Sequence, residues 1–270
     1  MFESLHTPYP ITSEQQSFFR QNGYIRLKNV LEPEVLAHYG AAITKFVLDQ
    51  NPLKDVPMEE RNTYQKAFIQ VINLWREDET AREFVFSKRL AQIVGDLMGS
   101  NGVRLYHDQA LYKEPSGGFT PWHADQYYWP LASPNTCTAW IPFQETPLEM
   151  GPLAFAVASH AVTDGRDMGI SDDSERLIAE MMENYAYDVA PFELGEVSFH
   201  YGWTYHRAGP NNSNLPRRVM TMIYFEDGCK VAPFKRYEHE NDHANFLPGT
   251  KVGEVAVSEM NPLLYQRSEP

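Results

Sequence analysis

The order of apolar and polar residues divides the chain into a helical first part and a β-rich second part. A capping box that begins at Thr12 predicts a helix ending at Gly23. Pro33 suits the first position of a second helix, and residues 80–98 have the apolar spacing of a third, which Gly99 ends. The positions expected to be buried are Val35, Leu36, Tyr39, Ile43, Phe46 and Val47 in the second helix and Phe84, Leu90, Ile93, Val94 and Leu97 in the third.

After Gly102, short extended runs separated by proline, glycine and aromatic residues replace the helical pattern. Strands are predicted at residues 24–30, 103–113, 136–143, 153–157, 185–189, 196–201 and 219–226. Many short strands favour a barrel or a double-sheet jelly roll, with the helices packed against the outside of one sheet. We therefore predict one domain over residues 1–270, with a helical part at about 12–99 and a jelly-roll core at about 103–228.

Composition narrows the possible partners of the protein. A formal net charge of -13 disfavours nucleic acid and anionic membranes, so the expected partner is a small-molecule substrate. Two cysteines are too few for a disulfide framework or a cysteine-rich zinc site. No apolar run is long enough to span a bilayer, and the first residues lack the basic and apolar regions of a leader. We therefore expect a cytoplasmic protein.

The most informative polar residues are His123 and Asp125, which are separated by one residue in an extended segment. Side chains alternate along a strand, so both are predicted to point to one spot. A second histidine would complete the 2-His-1-carboxylate facial triad, which leaves coordination positions open on Fe(II). Two downstream histidines are candidates for that place, His200 in a strand-like segment and His206 before a Gly-Pro turn.

A buried arginine is the second chemical feature expected in this region. Arg217 and Arg218 are adjacent, so on a strand they face opposite ways and only one of them can serve an internal site. A guanidinium is the side chain best suited to a carboxylate in a semi-buried place.

Several motifs occur together in a fixed order and resemble the phytanoyl-CoA dioxygenase family, which comprises Fe(II)- and 2-oxoglutarate-dependent oxygenases. The resemblance covers nearly the whole chain. It implies a mainly β fold with flanking α-helices, a double-stranded β-helix or cupin-like jelly roll. The motifs are Trp122-His123-x-Asp125, Thr138-Ala139-Trp140-Ile141-Pro142, Ser159-His160, Gly195 to His200, and His206-Arg207-Ala208-Gly209-Pro210-Asn211 with Arg217.

The resemblance also implies roles for individual residues. His123, Asp125 and His206 are expected to bind the iron and to form the catalytic centre. Arg217 is expected to pair with the distal carboxylate of 2-oxoglutarate, and Trp140 to line the co-substrate pocket. On the strand before His123, Gln109 and Lys113 are positioned to point polar groups into the cavity, and we assign Gln109 to the cofactor-binding set.

The reaction implied by the resemblance consumes dioxygen and 2-oxoglutarate, releases succinate and carbon dioxide, and hydroxylates a small-molecule metabolite. Related halogenases replace the carboxylate ligand with a small residue, so Asp125 favours hydroxylation or another oxidation over halogenation. Two other functions stay open. One is a non-catalytic metal-binding jelly roll, a sensor or binding module. The other is a zinc hydrolase, which would leave Arg217 without a role and lacks the glutamate of an H-E-x-x-H motif.

Three further segments allow two interpretations each. Residues 164–184 are acidic with a helical second half, and form either a solvated insertion or a lid. His239 and His243 have the spacing of a helical metal site, but their polar neighbours predict a solvated loop. The aromatic residues near the two ligand segments suit either core packing or a pocket for a ring-bearing molecule: Tyr127, Tyr128, Trp129 and Trp203.

Overall fold

The structure is a computed structural model that describes residues 2–267. Its helices are α1 (Ser13–Asn22), α2 (Pro33–Asp49), α3 (Thr63–Ala67), α4 (Leu74–Glu77), α5 (Glu79–Val85), α6 (Lys88–Met98), α7 (Asp172–Met181) and α8 (Tyr237–Phe246). Its strands are β1 (Tyr24–Leu27), β2 (Ile69–Ile72), β3 (Gly102–Tyr112), β4 (Thr120–His123), β5 (Thr136–Pro142), β6 (Leu153–Ala156), β7 (Tyr187–Val189), β8 (Val197–Tyr201), β9 (His206–Ala208), β10 (Val219–Glu226) and β11 (Leu263–Gln266).

Two antiparallel sheets form the core. The larger sheet has the order β1-β8-β5-β10-β3-β11, with β2 also paired to β3, and the smaller sheet has the order β4-β9-β6-β7. Side chains from both sheets meet in one apolar cluster that includes Trp140 and Val219 from the larger sheet and Phe155 and Ala208 from the smaller. This arrangement confirms the predicted jelly roll with flanking helices.

The larger sheet is buried on both faces, which follows from the alternation of side chains along its strands. On β5, Cys137, Ala139 and Ile141 belong to the core beneath the helices α2, α5 and α6. Between them, Thr138 and Trp140 line the cavity between the two sheets. One strand therefore contributes to the hydrophobic core and to the site at the same time.

The local patterns of the first part were mostly confirmed. Thr12 forms the capping box of α1, and Gly23 ends this helix in the left-handed conformation. The prediction of a single helix at 80–98 was wrong, because the helix is interrupted at Phe86 and a new helix, α6, begins at Lys88. The side chain of Ser87 caps α6 by accepting a hydrogen bond from the backbone N–H of Leu90.

The second part also differs in places from the prediction. β1 ends at Leu27, earlier than expected, and Asn29 then adopts a positive φ of 54°. The solvated loop predicted around His239 and His243 was wrong, since both lie in α8 and His239 is buried. In the part of the chain that the structure describes, no helix is long and apolar enough to cross a membrane.

Candidate active site

Two neighbouring strands bring the candidate histidines together. His123 is the last residue of β4, and His206 is the first residue of β9. They are direct partners in the antiparallel register, and their ring centroids lie 4.2 Å apart. The sequence separation of these histidines is thus bridged by a single pair of short strands.

Asp125 reaches the same spot by a different route from the one predicted. The strand ends at His123, and Asp125 begins a 3-10 turn, Asp125–Tyr127. The prediction that one strand presents both side chains was therefore wrong, although the two side chains do converge. The Oδ1 atom of Asp125 lies 3.4 Å from Nε2 of His123 and 3.6 Å from Nε2 of His206.

These separations suit adjacent corners of a coordination octahedron. One ligand atom from each of His123, Asp125 and His206 lies within 4.8 Å of the other two. Ligands at right angles with bonds of about 2.1 Å are about 3 Å apart, so the three atoms need to move only slightly to close on one ion.

The other nitrogen of each imidazole fixes its tautomer. Nδ1 of His123 lies 2.7 Å from the carbonyl oxygen of Pro121, and Nδ1 of His206 lies 2.9 Å from that of Thr204. A carbonyl oxygen only accepts, so each Nδ1 carries the proton and donates it. Each Nε2 therefore presents a lone pair to the centre, the arrangement typical of metal-binding histidines.

Burial keeps His206 in the neutral form that a metal requires. It lowers the pKa of His206 well below its usual value, and the neighbouring His123 acts in the same direction. Burial acts in the opposite direction on the pKa of Asp125. Burial alone would raise its pKa, but His206, His123 and His200 together hold it well below the usual range. The hydrogen bonds that Asp125 accepts from Thr138 and His200 also favour its ionised form.

The structure distinguishes the roles of His200 and His206, the two histidines that the sequence offered as the third ligand. Nε2 of His200 lies 3.2 Å from Oδ2 of Asp125, and the hydroxyl of Thr138 donates to the same oxygen at 2.8 Å. Oδ2 is thereby occupied by two partners, while Oδ1 faces His123 and His206. His200 thus orients the carboxylate, and His206 completes the triangle of candidate ligands.

The two adjacent arginines lie in different environments. Arg217 is 2% exposed, lines the same cavity as the triangle, and donates from Nη1 to the carbonyl of Gly151 at 2.5 Å. Its guanidinium lies 5.4 Å from the ring centroid of Trp140. Arg218 instead donates to the side chain of Gln144 and is absent from the cavity wall. The internal position therefore belongs to Arg217.

A second basic residue lies next to Arg217, outside the cavity wall. Lys113 is fully buried, shares a β-bridge with Arg217, and donates from Nζ to the carbonyl of Gly118. Burial lowers the pKa of Arg217 to about 9, and burial together with Arg217 lowers that of Lys113 to about 6. No carboxylate among residues 2–267 forms an ion pair with either group. We call the end of the cavity at Arg217, with Lys113 as its neighbour, the cationic pole.

The remaining predicted site residues line one cavity of about 460 Å³. Trp140 and Gln109 both contribute to its wall, and Nε2 of Gln70 donates to Oε1 of Gln109 at 2.5 Å. The four aromatic residues of the predicted cluster divide into two pairs. Tyr128 and Trp129 line the cavity, whereas Tyr127 and Trp203 do not.

The acidic segment 164–184 covers part of this cavity. Ile170 lines the wall, and its backbone N–H donates to the hydroxyl of Tyr128 at 3.0 Å. Glu175 of α7 anchors the segment, because it accepts a hydrogen bond from the backbone N–H of Trp122 at 2.8 Å and pairs with Arg207 at 2.8 Å. The segment therefore combines features of both interpretations, since Ile170 and α7 pack against the domain while many of its acidic residues are exposed.

Sequence analysis assigned no role to several residues of this site. Thr138 was detectable, because it alternates with Trp140 on β5 and must face the same side. His107 and Asp242 also line the cavity, but Asp242 lies on a helix whose buried side contains few apolar residues.

Comparisons with known proteins agree with this geometry. The family model of phytanoyl-CoA dioxygenase matches residues 19–219. The chain is 24% identical to a probable alpha-ketoglutarate-dependent hypophosphite dioxygenase of Stutzerimonas stutzeri over 228 residues, 78% of each protein. It is 25% identical to the 1-deoxypentalenic acid 11-beta-hydroxylase of Streptomyces exfoliatus, with 92% of this chain and 88% of the relative covered.

Solved structures show the same fold. The non-heme alpha ketoglutarate dependent carbocyclase SnoK from nogalamycin biosynthesis superposes with a TM-score of 0.78 at 22% identity, covering 95% of this chain and 99% of that one. EctD from S. alaskensis, solved with 2-oxoglutarate and 5-hydroxyectoine, gives a TM-score of 0.68 at 18% identity and covers 86% and 83%. With the family model spanning most of its length, the chain belongs to the phytanoyl-CoA dioxygenase family of iron(II)- and 2-oxoglutarate-dependent oxygenases.

Proposed function

We propose that this oxygenase hydroxylates a small molecule, with Fe(II) held by His123, Asp125 and His206 and 2-oxoglutarate held by Arg217. One observation carries the proposal. A triangle of ligands with fixed tautomers shares a cavity with a buried arginine that has no anionic partner among the described residues. We also propose that residues 1–270 act as one domain, in which the helical part braces the jelly-roll core.

The donor set fits a hard, open iron site. Two neutral imidazoles and one carboxylate favour Fe(II), and three protein ligands leave three octahedral positions for the co-substrate and dioxygen. Because Thr138 and His200 occupy Oδ2 of Asp125, this carboxylate would bind through Oδ1 alone. Bound iron would supply the activation of dioxygen. In the net reaction one oxygen atom enters succinate and the other enters the substrate as a hydroxyl group, with loss of carbon dioxide.

The cationic pole would receive the distal carboxylate of 2-oxoglutarate. The Nε atom of Arg217 is buried and has no hydrogen-bond partner among the described residues, so it is available for this bond. Trp140 would fix the plane of the guanidinium from one face. Gln109 is proposed to contact the co-substrate from β3, in an orientation held by Gln70.

The class of substrate is proposed from relatives. The hypophosphite dioxygenase and a methylphosphonate hydroxylase of Gimesia maris, 23% identical over 217 residues, are named for small molecules. A cavity of about 460 Å³ suits a substrate of this general class and allows one considerably larger than hypophosphite.

The first prediction concerns the metal. His206→Ala should abolish stoichiometric Fe(II) binding, because it removes a ligand. His200→Ala should keep the stoichiometry and weaken the affinity by about 10–100-fold, since only the orientation of Asp125 is lost. Anaerobic titration with Fe(II) measures both constants. A larger loss of affinity in His200→Ala than in His206→Ala would refute this ligand assignment.

The second prediction concerns the co-substrate, and the chain offers a matched control in the neighbouring arginine. Arg217→Met should weaken 2-oxoglutarate binding by about a hundredfold, as expected when one partner of a buried charge pair is removed. Arg218→Met should change it by less than about threefold, because that guanidinium lies outside the cavity. Calorimetry on the Fe(II) form under argon gives the affinities. Equal effects of the two substitutions would contradict the proposed pole.

The third prediction is a pH dependence that originates in Lys113. With a pKa lowered to about 6, its amine is mostly neutral at about pH 8 before the co-substrate binds. A carboxylate placed beside it favours the charged form, so binding should take up a proton and affinity should fall as the pH rises above about 6. Calorimetry in buffers of different ionisation enthalpy measures the uptake.

Lys113→Met provides the control for this experiment. It should remove the proton uptake while Arg217 still supports measurable binding. Co-substrate binding without proton uptake in the unmodified protein would show that Lys113 does not respond to the anion.

A further inference from the structure

The cavity extends well beyond the space that a five-carbon co-substrate fills. Along β3, His107, Gln109 and Leu111 alternate into the cavity, and Lys113 lies two positions beyond Leu111, just after the strand ends. A strand rises by about 3.3 Å per residue, so His107 lies about 20 Å from Lys113. Arg217 is the bridge partner of Lys113 and therefore stands at the same end. The end of the cavity near His107 is thus remote from the cationic pole.

Helix α8 forms the wall at this remote end. The ring of Phe246 stacks on that of His107, with centroids 4.4 Å apart. One turn earlier in the helix, Asp242 accepts a hydrogen bond from the hydroxyl of Tyr106 at 3.3 Å. Asp242 is 8% exposed and lines the cavity. Aromatic side chains make up much of the surrounding wall: Tyr64, Phe68, Tyr128, Trp129 and Phe246.

The remote end is built without a positive charge. Among the described residues that line the cavity, Arg217 is the only lysine or arginine. Burial lowers the pKa of His107 to about 4, so this imidazole is neutral near neutral pH. An anionic substrate at this end would therefore meet no cation, and it would meet the carboxyl group of Asp242. Burying a charge without a partner is costly, so such a substrate is disfavoured.

Asp242 itself lacks a charged partner. Its polar contacts are the neutral hydroxyl of Tyr106 and the neutral side chain of Asn241. Burial raises its pKa to about 7, because the ionised form has lost water and gained no cation. A positively charged group in the cavity would supply that missing partner, and aromatic faces around it would add cation–π attraction.

We propose that the substrate is a ring-bearing amine, whose ammonium group pairs with Asp242 while its ring packs among the aromatic side chains of the cavity. This inference rests on the proposed oxygenase function and names the substrate class for the same site. It places the recognised group of the substrate at α8, on the far side of the cavity from Arg217.

Three probes with one ring and different charge test the proposal: 2-naphthylmethylamine, 2-naphthylmethanol and 2-naphthoic acid. Their affinities are measured by calorimetry on the protein loaded with Fe(II) and 2-oxoglutarate under argon. The amine should bind more tightly than the alcohol, and at least about tenfold more tightly than the acid.

Two variants on the same helix complete the design. Asp242→Asn should lose the preference for the amine, whereas Glu240→Gln, whose side chain is exposed two positions earlier, should keep it. If Asp242→Asn does not fold, the ranking of the three probes on the unmodified protein still tests the proposed amine preference.

Several outcomes would overturn the inference. These are equal binding of the three probes, tighter binding of the acid, binding of none, or an amine preference that survives in Asp242→Asn. If the complex of protein, Fe(II) and 2-oxoglutarate does not form at all, the proposed function fails instead. The two failures are therefore distinguishable.

Discussion

The centre depends on two hydrogen bonds of the same kind. His123 and His206 each donate from Nδ1 to the backbone carbonyl two residues earlier, that of Pro121 or Thr204. A neutral imidazole has one donor and one acceptor nitrogen, so these bonds point both Nε2 lone pairs inward. The pairing of β4 with β9 then sets the two rings beside Asp125, with centroids 4.2 Å apart and planes tilted by 56°. Backbone geometry thus orients the two histidines, while the side chains of Thr138 and His200 orient Asp125.

Buried groups of opposite charge type lie at the two ends of the cavity. The cationic pole at one end has no carboxylate partner among the described residues, and Asp242 at the other end has no basic one. Isolated buried charges destabilise a fold, and proteins retain them mainly where a ligand supplies the counter-charge. Both proposals start from these unmet charges and assign an anion to Arg217 and a cation to α8.

Much of this architecture followed from local sequence patterns. The capping box at Thr12, the start of α2 at Pro33 and most strand positions were correct because each depends on neighbours a few residues away. The break before α6 was missed because apolar residues keep helical spacing on both sides of Ser87. Helix α8 was missed because its buried side includes His239 and Asp242, which give no apolar periodicity. The family was confirmed, and it came from ordered motifs rather than from any single element.

In the site, too, contacts between residues distant in the chain could not be predicted from neighbouring residues. Sequence spacing alone did not decide between His200 and His206, because the answer lies in the register between β4 and β9. Nor did it reveal that Lys113 and Arg217 are bridge partners, a contact between distant parts of the chain. The family resemblance implied that Trp140 lines the co-substrate pocket, and Trp140 does lie in the cavity wall. The sequence pattern of neighbouring residues does not show which distant strands pair with each other.

The most direct measurement is the visible spectrum of the protein after anaerobic addition of Fe(II) and 2-oxoglutarate. If the ligand triangle and the cationic pole hold both groups together, a weak charge-transfer band of the chelate appears, and admission of oxygen then yields succinate. A featureless spectrum at saturating iron would contradict the account. A stable band without any succinate would leave a binding protein in place of an oxygenase.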